Sequence, residues 1–333
     1  MKIAFFEVND FEKEYFKNNI QNHELLFFDK PLQKENIASI SDIESLVIFI
    51  YSHVTKDILD QLPSLKFIST MSTGFDHIDT VECNKKKIII SNVSTYGEIT
   101  VAEHAFALLF TISRRIIESH VRVAEGAFSP EGLTGFDLYG KTLGVIGVGN
   151  IGAHVIRIAK GIGMEVLGYK RTPDPKLEAD LGFRIVDMDE LLEKSDIITL
   201  HLPYSKDTHH FLGENQFAKM KNGVVIINTA RGSLIDTEAL VMNLDSGKVL
   251  AAGLDVLEEE PMLQEEKALL SQEFNKDALL RTLENHMLLN NKKVVITPHN
   301  AFNSQEALKR IVHTTKENIE GFTSGTPQNV VSS

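Results

Sequence analysis

The chain has 333 residues, 43% of them hydrophobic, and a formal net charge of −12. This length suits about two domains with sizeable cores, and the negative charge disfavours nucleic acid and anionic membranes as partners. A single cysteine, Cys83, excludes an intrachain disulfide and favours a reducing, cytoplasmic setting. No apolar run reaches the ~18 residues of a membrane span, and the apolar run after Lys2 is too short for a signal peptide.

Residues 1–99 alternate short apolar runs with amphipathic stretches. The apolar runs predict strands at 3–7, 24–28, 46–50, 67–69 and 88–91. Helical spacing is found near 11–19 and 56–62. This alternation predicts a small α/β layer with parallel strands.

A long helix is predicted next. Thr100 and Glu103 have the spacing of a capping box at a helix start. One apolar stripe follows, made of Ala105, Leu108, Leu109, Ile112 and Ile116. Gly126 is a residue type that commonly ends a helix. The pattern therefore predicts one continuous helix over 100–126.

The β–α alternation resumes after this helix. Apolar runs predict six strands, at 143–146, 165–169, 197–201, 224–228, 250–254 and 294–297. Six parallel strands with crossover helices form the doubly wound dinucleotide fold. Leucines in 262–291 indicate one or two helices there, and a last helix over 304–322 is expected to return to the first domain. The fold class is α/β, with two Rossmann-like or flavodoxin-like parallel-sheet domains, 1–99 plus 302–333 and 100–301.

A glycine-rich turn joins the first strand of the second domain to its helix. The residues are Gly147-Val148-Gly149-Asn150-Ile151-Gly152. Strand, glycine turn and helix together form the fingerprint that binds a pyrophosphate at a helix N-terminus. The same three glycines could make a plain turn, but the flanking strand and helix favour dinucleotide binding.

Polar residues follow three strands of this domain. Arg231 lies just after 224–228, Asp255 and three glutamates follow 250–254, and His299 follows 294–297. Ligands of open α/β sheets bind at the carboxyl ends of the strands. Arginine can hold a carboxylate bidentately, histidine can protonate a carbonyl oxygen, and a carboxylate can orient the imidazole. These groups suit reduction of a 2-keto acid.

The motifs, in order, resemble those of the D-isomer-specific 2-hydroxyacid dehydrogenases, most closely the D-lactate dehydrogenase branch. The matching stretches are 72–79, 101–104, 147–152, 228–232, 253–256 with 260–261, and 297–302. The resemblance covers nearly the whole chain. It implies that Arg231 binds substrate, that His299 is the acid/base, and that Glu260 pairs with His299. Glu258 and Glu259 would be solvated loop charges.

The resemblance also implies binding residues. Thr73 and Gly74 fall in the loop that holds the substrate carboxylate, and Tyr96 and Phe302 match pocket-lining aromatics, although either could be simple packing. The implied cofactor contacts are Gly147, Gly149, Asn150, Ile151, Gly152, Leu202, Thr208, Thr229, Ala230 and Asp255. Asp255 would lie by the nicotinamide amide. His104, His209 and His210 are expected to be structural or exposed.

The end of the strand at 165–169 departs from the NAD pattern. An acid that binds the ribose 2′-OH is expected there, but Lys170 and Arg171 follow instead. Their charge favours a 2′-phosphate, so the cofactor is NAD or NADP. Alternatively, both cations are solvated and NADH binds through the remaining contacts.

The sequence therefore predicts an NAD(P)-dependent oxidoreductase that interconverts a small 2-keto acid and its D-2-hydroxy acid, with pyruvate and D-lactate as the first choice. Glyoxylate or hydroxypyruvate reduction is the alternative, and phosphite oxidation uses a similar residue set. A nicotinamide-sensing, non-catalytic scaffold of the same superfamily is the alternative from another class. No Cys and His pair has metal-ligand spacing, so no metal is expected. The resemblance implies a homodimer formed through the long helix.

Overall fold

The computed structural model describes residues 1–258 and 276–331, with the backbone alone for 276–282. The chain divides into two compact units. One comprises Met1–Gly97 and Asn303–Ser333, and the other comprises Glu98–Phe302. The sequence had suggested boundaries at 99/100 and 301/302.

The first unit contains a five-stranded sheet in the order β2-β1-β3-β4-β5, and all neighbouring strands are parallel. Its strands are β1 (Lys2–Phe5), β2 (Glu24–Phe27), β3 (Ser45–Ile48), β4 (Phe67–Thr70) and β5 (Ile89–Ser91). Its helices are α1 (Asp10–Asn19), α2 (Lys34–Ile37), α3 (Lys56–Leu59), α4 (Thr80–Lys85) and the C-terminal helix Gln305–Thr323. Asn9 starts α1 with a capping box to Glu12.

Two details of this unit bear on the sequence predictions. The C-terminal helix packs on β4, where the rings of Phe322 and Phe67 stack at 4.5 Å. β1 ends at Phe5, two residues earlier than predicted, because Glu7 adopts a left-handed φ of 59°. The Glu7 carboxylate accepts hydrogen bonds from the N–H groups of Phe49 and Tyr51, and so ties the start of the chain to the segment after β3.

The second unit contains a seven-stranded parallel sheet in the order β12-β11-β10-β9-β6-β7-β8. Its strands are β6 (Thr142–Ile146), β7 (Glu165–Tyr169), β8 (Arg184–Ile185), β9 (Ile197–Leu200), β10 (Val224–Asn228), β11 (Val249–Leu254) and β12 (Val294–Ile296). The predicted doubly wound α/β class is confirmed. The short edge strand β8 was not predicted. The strand order reverses beside β6, which makes the carboxyl ends of β6 and β9 the expected ligand crevice.

Helices cover both faces of this sheet. The helices of this unit are α5 (Glu98–Ser113), α6 (Ile116–Ala124), α7 (Asn150–Gly161), α8 (Pro175–Leu181), α9 (Met188–Lys194), α10 (Glu214–Lys219), α11 (Thr237–Asp245) and Lys276–Leu289, and α6 alone among them places no residue in or against the buried clusters of the described chain. The last of these accords with the helix expected within 262–291. α5 packs against α7 and β11, and its close approach to β11 uses Gly253, where a Cβ would lie 3.0 Å from Leu108.

The prediction of one continuous helix over 100–126 is wrong. α5 begins at Glu98, ends at Ser113, and is followed by the separate helix α6. The break occurs because the Ser113 carbonyl accepts the Phe136 N–H at 2.9 Å instead of an amide of the next helical turn. Gly135 permits this approach, since a Cβ there would lie 2.0 Å from the Ser113 oxygen, and Arg115 adopts a left-handed φ of 49°.

Candidate active site

The glycine turn after β6 is built by close backbone contacts. Gly147 has a left-handed φ of 99°, and a Cβ on it would lie 2.6 Å from the His201 carbonyl oxygen. A Cβ on Gly152 would lie 2.4 Å from the Gly147 carbonyl oxygen, so α7 must start directly against the turn. A Cβ on Gly149 would meet no described protein atom within 4 Å. The first and third glycines therefore close the turn, and the second keeps space open beside it.

The start of α7 fits an anion. Its N-cap is Gly149, which offers no side-chain cap, and the first turn contains no acidic residue. The free N–H groups and the positive end of the helix dipole therefore remain available to a phosphate. The Asn150 amide donates to Glu98 at 2.6 Å, and Ile151 packs on the core. After β10, Thr229 Oγ1 is buried without a hydrogen-bond partner among the described residues. An orphaned hydroxyl and an open glycine cradle both fit a dinucleotide.

The end of β7 is less simple than the sequence suggested. The Lys170 ammonium lies 3.2 Å from Asp174 Oδ2, whereas Arg171 is exposed. A hydrogen bond from the Leu177 N–H, followed by that from Lys170, lowers the pKa of the Asp174 carboxyl. The strand end carries no acid, but a carboxylate four residues after Lys170 lies beside this cation. Asp174 partly neutralises Lys170, and Arg171 is the cation left exposed to solvent.

The segment after β9 forms a tight turn. The Thr208 hydroxyl accepts the Ser205 N–H at 2.7 Å and lies 2.9 Å from the Pro203 carbonyl oxygen, so it closes residues 203–208. Leu202 is half-buried against the core. Part of His201 reaches the surface, but its ring is enclosed enough that burial lowers its pKa to about 4.

Arg231 lies in a turn that its neighbours shape. The Asn228 amide donates to the Arg231 carbonyl at 2.8 Å, and Asn228 Oδ1 accepts the Ala230 N–H at 3.0 Å. Arg231 is half-buried and donates to the Ala230 carbonyl. A Cβ on Gly232 would lie 2.0 Å from the Leu257 carbonyl carbon. The Arg231 turn therefore touches the segment after β11 backbone to backbone.

Asp255 braces the turn that carries His299. The residue is 1% exposed, and its carboxylate accepts the N–H groups of Asn300 and Ala301, each at 2.8 Å, and the Thr297 hydroxyl. Burial opposes ionisation of Asp255, but these hydrogen bonds and one with His104 outweigh it and lower the pKa. The Asp255 carboxylate is therefore already engaged in holding the His299 turn, and a nicotinamide amide beside it, as the resemblance implies, would have to share its oxygens.

His299 is half-buried with a left-handed φ of 49°, and its N–H donates to the Asp255 carbonyl at 2.8 Å. A non-glycine residue in this conformation persists only where its surroundings hold it. His104 on α5 contributes, with Nε2 3.0 Å from Thr297 Oγ1 and 3.4 Å from Asp255 Oδ1. The sequence had given His104 a structural role only, because no spacing links α5 to the end of β12.

Glu260 and Glu259 lie outside the described residues. Glu258, expected to be a solvated charge, is only 7% exposed. Its carboxylate accepts hydrogen bonds from His210 Nε2 at 2.7 Å and from the Thr237 hydroxyl at 2.6 Å. His210, expected to be exposed, is half-buried in this contact, whereas His209 is exposed as predicted.

The remaining predicted binding residues occur in both units. In the first unit, the Thr73 hydroxyl donates to the Val93 carbonyl at 3.0 Å, and the Gly74 carbonyl accepts the Ser72 hydroxyl at 2.6 Å. Tyr96 is 8% exposed, and its carbonyl accepts the Arg310 side chain. Phe302, in the second unit, is half-buried.

A doubly wound sheet, a glycine cradle at a helix N-terminus and strand-end arginine and histidine define a dinucleotide-dependent oxidoreductase. The model of the D-isomer specific 2-hydroxyacid dehydrogenase NAD-binding domain matches residues 106–301. The chain is 36% identical over 331 residues to D-lactate dehydrogenase of Escherichia coli, covering 98% of each chain. The chain belongs to the D-isomer specific 2-hydroxyacid dehydrogenase family, and the predicted family is confirmed.

Two further comparisons bear on specificity. Glyoxylate reductase of Korarchaeum cryptofilum is 36% identical, over 90% of this chain and 86% of that protein. The crystal structure of D-lactate dehydrogenase from Aquifex aeolicus, complexed with NAD and lactic acid, superposes with a TM-score of 0.89. That protein is 34% identical, and the match covers 97% of this chain and 96% of the other. Within the described residues, no helix has the length and apolar character to span a membrane.

Proposed function

We propose that this chain interconverts pyruvate and D-lactate with a nicotinamide cofactor. The observation that carries the proposal is that Arg231 and His299, both half-buried, follow the carboxyl ends of β10 and β12, and that the buried Asp255 carboxylate braces the His299 turn. Relatives named D-lactate dehydrogenase, one of them solved with NAD and lactic acid, support this choice of substrate.

In the proposed reaction, Arg231 binds the substrate carboxylate. When bound, the reduced nicotinamide supplies the hydride that adds to the keto carbon. Protonated His299 donates its proton to the keto oxygen, which becomes the hydroxyl of the product. Glu260 would pair with the His299 imidazole, as the family resemblance implies.

The test is a panel of 2-keto acids assayed with NADH and NADPH, together with the variant His299→Gln. Loss of a positioned general acid should lower kcat by roughly 10²–10⁴-fold, while NADH binding, followed by fluorescence, stays within about twofold of wild type. The control is His313→Gln, an exposed histidine of the C-terminal helix. Full activity in His299→Gln would refute the assignment of the proton donor.

Glyoxylate or hydroxypyruvate reduction is the second candidate, because the glyoxylate reductase relative covers most of this chain. The ratio of kcat/KM for pyruvate to that for glyoxylate decides between them. A non-catalytic, nicotinamide-sensing scaffold would instead bind NADH tightly and turn over none of the acids.

NADPH is proposed to be accepted beside NADH. The exposed Arg171 could bind the 2′-phosphate of NADPH and so supports the use of this cofactor. The Asp174 carboxylate, 3.2 Å from the Lys170 ammonium, weakens the attraction of Lys170 for the same phosphate. Arg171→Ala should lower kcat/KM for NADPH but not for NADH, with Lys160→Ala on α7 as the control. A strong NADH preference that Arg171→Ala leaves unchanged would refute the 2′-phosphate role.

The proposed assembly is a homodimer in the cytoplasm. In support of a dimer, α6 buries none of its residues, and Ile116, Ile117, Val121 and Val123 are each about half exposed. An apolar helix face of this kind is typical of an interface. Val121→Asp should shift the sedimentation coefficient toward that of a monomer. The lone buried thiol of Cys83 supports a reducing compartment.

A further inference from the structure

A cluster of metal-ligating side chains lies outside the residues assigned to catalysis. His209, His210 and Glu258 each offer one nitrogen or oxygen atom, and the three atoms lie within 4.8 Å of one another. We propose that these three residues bind a divalent transition metal ion, for which Zn²⁺ is the best match. The proposal does not depend on the reaction that the enzyme catalyses.

The spacing of the three atoms is close to that of a zinc site. Tetrahedral Zn²⁺ with bonds of ~2.0–2.1 Å holds its ligand atoms ~3.3 Å apart. Here His210 Nε2 and Glu258 Oε1 are 2.7 Å apart, so the ion requires them to separate slightly. The His209 ring must move inward, and it is exposed and makes ring contacts with Tyr204 and His210. Small side-chain rotations therefore suffice.

The atoms behind the ligands suit coordination. Asp236 Oδ2 lies 3.7 Å from His210 Nδ1, and the Thr237 hydroxyl donates to Glu258 Oε2 at 2.6 Å. With Nε2 on the metal, Nδ1 carries the proton and faces the Asp236 carboxylate. A metal-bound histidine commonly donates its second N–H to a carboxylate, and a ligating carboxylate is commonly hydrogen-bonded.

Backbone contacts fix the two segments that supply the ligands. The His210 N–H donates to the Ser233 carbonyl at 2.8 Å, and the Asn285 amide donates to the Glu258 carbonyl at 2.7 Å. The metal would thus bind a preformed pair, His210 and Glu258, and recruit the exposed His209. Solvent access on the His209 side leaves a fourth position for water.

The ligand set selects the class of ion. Two imidazoles and one carboxylate suit Zn²⁺, Co²⁺ and Ni²⁺, whereas Mg²⁺ and Ca²⁺ prefer oxygen ligands throughout. No metal site could be recognised from residue spacing, because His209 and His210 are far along the chain from Glu258 and the single cysteine is Cys83. The fold brings the segment after β9, which carries the two histidines, against the segment after β11, which carries Glu258.

The test uses untagged, full-length protein treated with a chelator, because a polyhistidine tag would bind the probe. Co²⁺ is titrated while visible absorption is recorded, and Zn²⁺ is then added as competitor. We expect one Co²⁺ to bind per chain and to give the intense visible absorption bands of cobalt with a low coordination number. Zn²⁺ should displace the Co²⁺ and abolish these bands. Mg²⁺ should not displace it.

Two variants and one control localise the ion. His209→Ala removes an exposed ligand without touching the core and should weaken Co²⁺ binding at least ~10-fold, with an unchanged melting temperature. Asp236→Asn keeps the helix cap of α11 and should weaken binding by roughly 10–100-fold, as loss of an outer partner does. His313→Ala should bind as the wild type does.

Two results would overturn the proposal. Absence of Co²⁺ binding would mean that His210 and Glu258 are only a hydrogen-bonded pair. Binding that His209→Ala leaves unchanged would mean that the ion occupies another place on the surface.

Discussion

Replacing Asp255 by asparagine tests whether the turn at 297–301 is held by charge. The carboxylate accepts two backbone N–H groups, from Asn300 and Ala301, and one oxygen of an asparagine amide can serve only one of them. The other N–H would face an amide NH₂. A hydrogen bond to a charged group contributes about 1.5–3 kcal/mol, and an orphaned donor costs about 1–3 kcal/mol. We expect Asp255→Asn to lower the free energy of unfolding by about 3 kcal/mol.

Calorimetry should show this loss as a fall in melting temperature of about 6–12 °C for a unit of this size. The kcat of Asp255→Asn should also fall at temperatures where the variant is fully folded, because His299 lies in the affected turn. A displacement of about 1 Å at a reacting group can lower kcat by about 10²-fold. NADH affinity should change much less than kcat, since the glycine turn is untouched.

The contribution of Asp255 to the free energy of unfolding should decrease as the pH falls into the acid range. Because the pKa of Asp255 is lower in the folded protein than its ordinary value of 3.8, its contribution is complete above that value. It is lost as the pH falls below 3.8 toward the folded pKa. The stability difference between wild type and Asp255→Asn should therefore be constant near neutrality and shrink in acid. Asp180→Asn, an exposed residue of α8, is the control. Equal melting temperatures and equal kcat for the two variants would refute the bracing role.

Three further predictions follow from individual contacts. Gly149→Ala should weaken NADH binding and leave the melting temperature unchanged, because its Cβ would meet no described protein atom within 4 Å. Gly152→Ala should lower both the NADH affinity and the melting temperature, because its Cβ would lie 2.4 Å from the Gly147 carbonyl oxygen. Equal melting temperatures for the two variants would contradict this prediction. Stability of the wild type should fall by up to about 3 kcal/mol between pH 6.5 and about 4, because unfolding lets His201 take up a proton, and His201→Gln should flatten this slope in thermal melts. Gly232→Ala should destabilise by about 3 kcal/mol, as overpacking does, and lower kcat/KM for the keto acid; an unchanged Tm with full activity would argue against the backbone contact at Leu257.

The sequence predicted strand positions well and helix continuity poorly. β7 and β10 begin and end at the predicted residues. β10 is buried at every position, and a parallel strand of this kind is a continuous apolar run that the sequence shows directly. The break between α5 and α6 could not be read from 100–126, since it depends on the Phe136 N–H capturing the Ser113 carbonyl. The apolar stripe of a helix does not indicate which of its carbonyl groups will accept a hydrogen bond from a later segment of the chain.

The candidate site shows the same division. The turns that carry Arg231 and His299 were predicted, because polar residues after buried strands share one edge of the sheet. The groups that hold those turns were not. His104 reaches Thr297 across the packing of α5, and Glu258 was expected to be solvated although it is 7% exposed. Such contacts depend on which elements pack together, and neither spacing nor residue type indicates them.

The supporting contacts indicate how the fold couples its strand ends. Gly232 brings the Arg231 turn against Leu257, the Glu258 carboxylate binds His210 from the segment after β9, and Asp255 holds the turn after β12. Three loops that follow different strands are thus tied to the end of β11. A change at that end should move Arg231 and His299 together, so variants there should alter kcat and KM jointly. Variants at the end of β7 should alter only the choice of cofactor.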